Sequence, residues 1–194
     1  MSDDTNADLI ARPGQSLHDH LANVASLTAI FADGLGLPTA GMLIGSVHDA
    51  GKASSAFQRY IRSASGIYDS EDEEYVDASG LKGKIDHSTA GAQQMWRTFH
   101  QSQPKMQDML FAQMLALCIC SHHSGLIDCL GPNGEQTFKQ RMDKPGDATH
   151  LQEVLTAFGQ NIGALRQENL FKAMQEMRQR LGSMLRPGTS PRCK

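Results

Sequence analysis

His48-Asp49-Ala50-Gly51-Lys52 closes an apolar segment that opens at Pro38. An adjacent histidine and carboxylate at the end of such a segment, followed at once by Gly-Lys, predicts a metal site. The ligating side chains come first and the backbone turns immediately after them. Working outward, His20, His87 and the pair His122–His123 also fall at the edges of apolar, helix-like stretches. If helices converge on residues 48–52, these side chains form a multi-histidine centre around one shared carboxylate.

The apolar periodicity supports convergent helices. Apolar residues recur at 17, 21, 24, 27/28, 31 and 35, which is helical spacing. Gly34 and Gly36 end that helix, and Pro38 opens the next at a first-turn position. Residues 38–50 form a second helix, with Ala40, Met42, Leu43, Ile44 and Val47 on its core face. Its small residues, Gly41, Gly45 and Ser46 among them, allow close approach of neighbouring backbones. A third helix is expected over 53–63. Residues 64–86 read as a long loop, and further helices are expected over 87–100 and 105–121. A loop over 124–134 then precedes helices near 135–142, 148–160 and 165–184. No period-2 strand pattern is evident, so the expected fold class is all-α. Residues 1–16 read as a flexible or extended lead, 17–186 as one domain and 187–194 as a flexible tail.

Composition narrows the function. The net charge of −3 argues against a polyanion-binding surface over the whole molecule. Charge is uneven, however. Residues 139–194 carry ten Lys or Arg against five Asp or Glu, whereas residues 69–77 hold six acids and no base. No stretch approaches the roughly 18 apolar residues of a membrane span. The acidic opening Met1-Ser2-Asp3-Asp4 is unlike a secretory leader, so a cytoplasmic location is expected. Cys118, Cys120, Cys129 and Cys193 match no zinc or redox spacing and read as reduced thiols, with Cys118 and Cys120 in the core. His18, His100 and His150 read as surface histidines.

Neutral imidazoles suit transition metals such as iron, manganese, nickel or cobalt, whereas magnesium prefers an oxygen shell. A carboxylate can bridge two ions, and a two-metal pair can activate water and stabilise both oxygens of a phosphoryl displacement. Asp49 is the natural bridge. Neighbouring side chains in mid-helix point about 100° apart, so one ion cannot easily take both. At a helix end it can, and both adjacent pairs sit at predicted helix ends. Lys52 reads as a cation that steadies a substrate phosphate or leaving group. Arg59, Arg62, Lys82, Lys84, Lys139 and Arg141 are weaker candidates for contacts to a polyanionic substrate.

Four ordered motifs carry a resemblance over residues 17–126. His20-Leu21-x-x-Val24, His48-Asp49-x-Gly51-Lys52, Asp86-His87-Ser88-x-x-Gly91-Ala92 and His122-His123-Ser124-Gly125, with Phe57 five residues after Lys52, resemble the HD superfamily of metal phosphohydrolases. More narrowly they resemble the HD nuclease domain of the type I CRISPR interference nuclease–helicase. The resemblance implies an HD-domain helical bundle with a two-metal centre between its helices. It implies cleavage of single-stranded DNA, endonucleolytic and with 3'-5' trimming as a further expectation. It also implies divalent transition-metal ions, a helicase domain or subunit, and a target-bound surveillance complex. By position, His20, His48 and Asp49 would hold the first metal, and Asp49, His87, His122 and His123 the second. Lys52 would lie beside them as a catalytic group, with Ser88 near the substrate.

One departure stands out. The family completes the first metal's shell with an Asp on a late helix, and no Asp occurs from Leu151 onward. Asp143 and Asp147 lie in a polar turn. No Gly-x-x-x-x-Gly-Lys-Ser/Thr loop is present, so ATP hydrolysis is not expected of this sequence. Two other readings stay open: hydrolysis of a nucleotide or cyclic dinucleotide, and an inactive module that binds protein or DNA.

Overall fold

The computed structural model describes residues 9–100, 105–123, 125–158 and 165–184. It opens with a small antiparallel hairpin, β1 (Ile10–Arg12) and β2 (Gln15–Ser16). The helices are α1 (Leu17–Asp33), α2 (Pro38–Val47), α3 (Ser55–Ala64), α4 (Thr89–Phe99) and α5 (Met106–Ser121), followed by α6 (Thr137–Met142), α7 (Gly146–Thr149), α8 (Leu151–Phe158) and α9 (Gln167–Met184). A 3-10 turn, Ala50–Ala53, separates α2 from α3. The all-α class expected from periodicity holds apart from the hairpin. No helix among the described residues is long and apolar enough to cross a membrane.

α2 is the central helix, packed against α1, α5 and α9. Leu43 and Val47 on its inner face are fully buried, together with Met95 of α4 and Ile119 of α5. Gly41 and Gly45 bring its backbone against Thr28 and Ala25 of α1. Close approach recurs at Gly91 of α4, where a Cβ would overlap the carbonyl oxygen of Val47. That contact sets the distance between α4 and the end of α2, one residue before His48.

Carboxylates of the late helices cap the early ones. Glu176 of α9 accepts hydrogen bonds from the backbone N–H groups of Thr39 and Ala40 at the start of α2. Glu153 of α8 accepts from the N–H and hydroxyl of Ser55 at the start of α3, 2.7 Å each. Both satisfy orphan donors and place negative charge at a positive helix end. Burial works against the charge on Glu153, but the bonds from Ser55 and His150 outweigh it and its pKa is lowered.

Several expectations are corrected. Cys118 is exposed, while Cys120 is buried. Two positions apart on a helix is about 200°, so the pair cannot share one face. Cys193 lies outside the described residues. His100 is half-buried rather than a free surface group, stacked on Trp96 at 3.7 Å, with Nδ1 donating to the Trp96 carbonyl. His150 adopts a left-handed backbone (φ 57°) and pairs with Glu153 at 2.9 Å, whereas His18 is open to solvent. The helix expected over 148–160 is two pieces, Gly146–Thr149 and Leu151–Phe158, broken at that left-handed residue.

Gly91→Ala is expected to lower stability by at least about 1–3 kcal/mol, the scale of overpacking a core contact. Denaturant unfolding measures it, and an unchanged midpoint would contradict so tight a contact.

Candidate metal centre

α2 ends at Val47, and its last turn delivers His48. Asp49 follows with φ −111° and ψ 19°, outside helical geometry, and starts the 3-10 turn. The break lets two adjacent side chains reach one place. α5 does the same at its far end, stopping at Ser121 and releasing His122 and His123. α1 contributes His20 from its first turn, and the loop before α4 contributes His87. Gly51 seats that loop. Its N–H donates to the His87 carbonyl at 3.1 Å, and a Cβ there would stand 2.5 Å from the same oxygen.

The side chain of Asp49 is 4% exposed and its two oxygens face opposite ways. Oδ2 lies 2.9 Å from His20 Nε2, 3.3 Å from His48 Nε2 and 2.9 Å from Lys52 Nζ. Oδ1 lies 3.2 Å from His122 Nε2 and 3.8 Å from the Nε2 atoms of His87 and His123. Among the described residues, His20, His48 and Asp49 form one group able to hold a metal. Asp49, His87, His122 and His123 form a second. The side chain of His123 is 55% exposed, so the centre opens on that side.

Backbone carbonyls fix the imidazoles. His48 Nδ1 lies 2.8 Å from Gly45 O, His87 Nδ1 2.9 Å from Ile85 O and His122 Nδ1 2.6 Å from Ile119 O. With Nδ1–H donating outward, each neutral ring presents the lone pair of Nε2 to the centre. His48 and His122 thus turn lone pairs toward a carboxylate, and His87 Nε2 meets His123 Nε2 at 2.7 Å. A proton on one Nε2, or a metal ion between the partners, satisfies such contacts. The donor set of the second group, three imidazoles and a carboxylate oxygen, fits a divalent transition metal. The first group offers two imidazoles and one oxygen, and Lys52 already lies on that oxygen.

Electrostatics agree. Burial works against the charge on Asp49, but hydrogen bonds from His122 and His48 when their Nε2 atoms carry protons, with the charges of His48 and Lys52, hold its carboxyl far below the usual range. Burial lowers the pKa of His20, though Asp49 opposes it. Burial lowers that of His123 too, helped by His122 and His87. Burial also acts against His122, but its bonds to Asp49 and the Ile119 carbonyl prevail and its pKa is raised.

The six other residues assigned from the motifs, His20, His48, Lys52, His87, His122 and His123, lie around the carboxylate of Asp49. The weaker candidates lie elsewhere. The Ser88 hydroxyl is buried and accepts from Arg141, whose Nε also donates to Thr89. Arg59 pairs with Glu74 at 3.6 Å, Lys139 pairs with Asp143, and the Arg62 guanidinium lies over the Tyr68 ring. Lys82 and Lys84 are exposed in the loop after α3. Asp86 bonds Thr89 and Lys144 rather than joining either ligand group. Asp143 and Asp147 join neither group.

Sequence reasoning missed the hairpin's part. Lys52 Nζ donates to the carbonyl of Ala11 at 3.4 Å and lies over the Phe57 ring. Buried Gln58 donates to the carbonyls of Ile10 and Lys52, and accepts from the Ile10 N–H. In sequence, Gln58 is one polar residue on an amphipathic helix and carries no signal.

A protonated Nε2 cannot ligate, and the raised pKa of His122 keeps that proton to higher pH than an ordinary histidine. Metal affinity of the second group is therefore expected to fall as pH drops, and to begin falling at a higher pH than an ordinary histidine would impose. Calorimetric metal titrations at a series of pH values measure it, and a flat profile would contradict proton–metal competition at His122.

Comparison with curated proteins finds no match. Comparison with protein-family models matches the Cas3 HD domain over residues 7–186, nearly the whole chain. With two histidine groups on the two oxygens of one buried aspartate, the chain belongs to the Cas3 HD-domain family of CRISPR nucleases.

Proposed function

We propose that this chain hydrolyses phosphodiester bonds of single-stranded DNA during CRISPR interference. It would act in the cytoplasm beside a helicase domain or subunit and a target-bound surveillance complex. The observation that carries the proposal is the placement of one buried carboxylate between two histidine groups. Divalent ions bound there supply a Lewis acid and an activated water for attack on phosphorus.

The chain's own residues prepare the rest. Asp49 stays ionised, and the carbonyls behind His48, His87 and His122 hold their Nε2 atoms toward the centre. Lys52 places a positive charge beside the bridging carboxylate, where it can offset charge building on the phosphate. The centre is open to solvent at His123 rather than enclosed, which favours a polynucleotide over a small nucleotide held in a closed pocket. Lys82 and Lys84 are free-standing enough to meet DNA phosphates, whereas Arg59 must leave Glu74 first.

The test uses metal-stripped protein, reloaded separately with manganese, nickel, iron(II), zinc or magnesium and given circular single-stranded DNA. Cutting is expected with transition metals, stopped by EDTA and lowered more than about a hundredfold in Asp49→Ala and Asp49→Asn, the scale of removing a charge-stabilising group. Cutting that survives chelation would overturn the proposal. Turnover of a nucleotide panel without DNA cleavage would move the substrate to small molecules.

A further inference from the structure

The two sides of Asp49 are not equivalent. Oδ1 faces three imidazoles and no ammonium. Oδ2 faces two imidazoles and Lys52 Nζ, with Nζ as close as His20 Nε2, both at 2.9 Å. Lys52 is held at both ends. Its ammonium is bonded to the Ala11 carbonyl and lies over the Phe57 ring, and its own carbonyl accepts from Gln58. Gln58 also bonds both backbone groups of Ile10, so it locks the strand that carries Ala11 onto the turn that carries Lys52. The Lys52 side chain is mostly buried as a result.

Among the described residues, no carboxylate of the late helices joins His20, His48 and Asp49. The sequence has no Asp after residue 147. Two glutamates of the late helices are engaged elsewhere, Glu153 on Ser55 at the start of α3 and Glu176 on the start of α2. The His20–His48 side therefore offers three donor atoms, and the oxygen among them already carries a cation. A divalent ion ligated by Oδ2 and an ammonium bonded to Oδ2 repel each other in a site where little water screens them.

Building on the metal-centre reading, we infer that Lys52 serves as a built-in cation on Oδ2. The chain then holds one divalent ion firmly, at Asp49, His87, His122 and His123. It holds a second, at His20 and His48, only in competition with Lys52. The hairpin and Gln58 are positioning elements that keep the ammonium in place.

Manganese is the probe. The metal-stripped full chain is titrated with Mn2+ by equilibrium dialysis, with electron paramagnetic resonance distinguishing free, isolated and spin-coupled ions. One tight ion per chain is expected, with a second at least about tenfold weaker, as repulsion at a shared ligand requires. Lys52→Met and Lys52→Gln should each tighten the second ion by about tenfold or more and bring in the coupled signal at lower manganese. Lys52→Arg should restore the inequality, and Gln58→Leu should shift the second ion in the same direction as Lys52→Met, by less. His20→Ala should remove the weak ion and leave the tight one. Two ions of equal affinity in the unaltered chain would overturn the inference and leave the metal centre standing. So would a second-ion affinity unchanged in folded Lys52→Met. Binding of no manganese at all would overturn the metal-centre reading, and this inference with it.

Discussion

A buried negative charge is the constraint on which this structure depends. An isolated carboxylate moved out of water costs several kcal/mol even after relaxation, unless partners surround it. Asp49 is almost wholly buried, and five imidazoles and an ammonium face it. Those partners come from α1, the end of α2, the 3-10 turn, the loop before α4 and the end of α5. Each of these must converge on the one carboxylate, and close backbone packing serves that. Gly91 brings α4 onto the last turn of α2, and Gly51 lays the His87 backbone against the turn.

The centre was legible in the sequence because its chemistry is local and its spacing unusual. His48-Asp49 and His122-His123 are adjacent pairs, which a helix interior cannot aim at one ion, so each had to stand where a helix ends. Both do. The helices themselves followed from apolar periodicity, to within a few residues at most ends. What escaped is what periodicity cannot carry. The hairpin strands are three and two residues long, too short to show alternation. Gln58 acts through main-chain groups far away in sequence. α5 is apolar on nearly every face, so its sequence does not say which side is inward. Cys118 was accordingly placed in the core, while it lies exposed with Met106, Met109, Leu110 and Met114.

The imidazoles show how a fold sets chemistry through its main chain. His48 and His122 turn back on carbonyls three residues earlier, and His87 on one two residues earlier. A helix end leaves carbonyls without partners, and at His48 and His122 those carbonyls orient the ring. The same broken helix ends that free the side chains also orient them.

The caps from Glu153 and Glu176 carry a consequence for the order in which the chain assembles. They join residues 98 and 137 positions apart. Contacts across such separations form late, after much chain entropy has been lost. During synthesis, α3 cannot receive its cap until α8 exists, nor α2 until α9 does. The segments bearing His48, Asp49 and Lys52 are thus made early but finished last. A nascent chain carries these ligands well before it has the helices that cap α2 and α3.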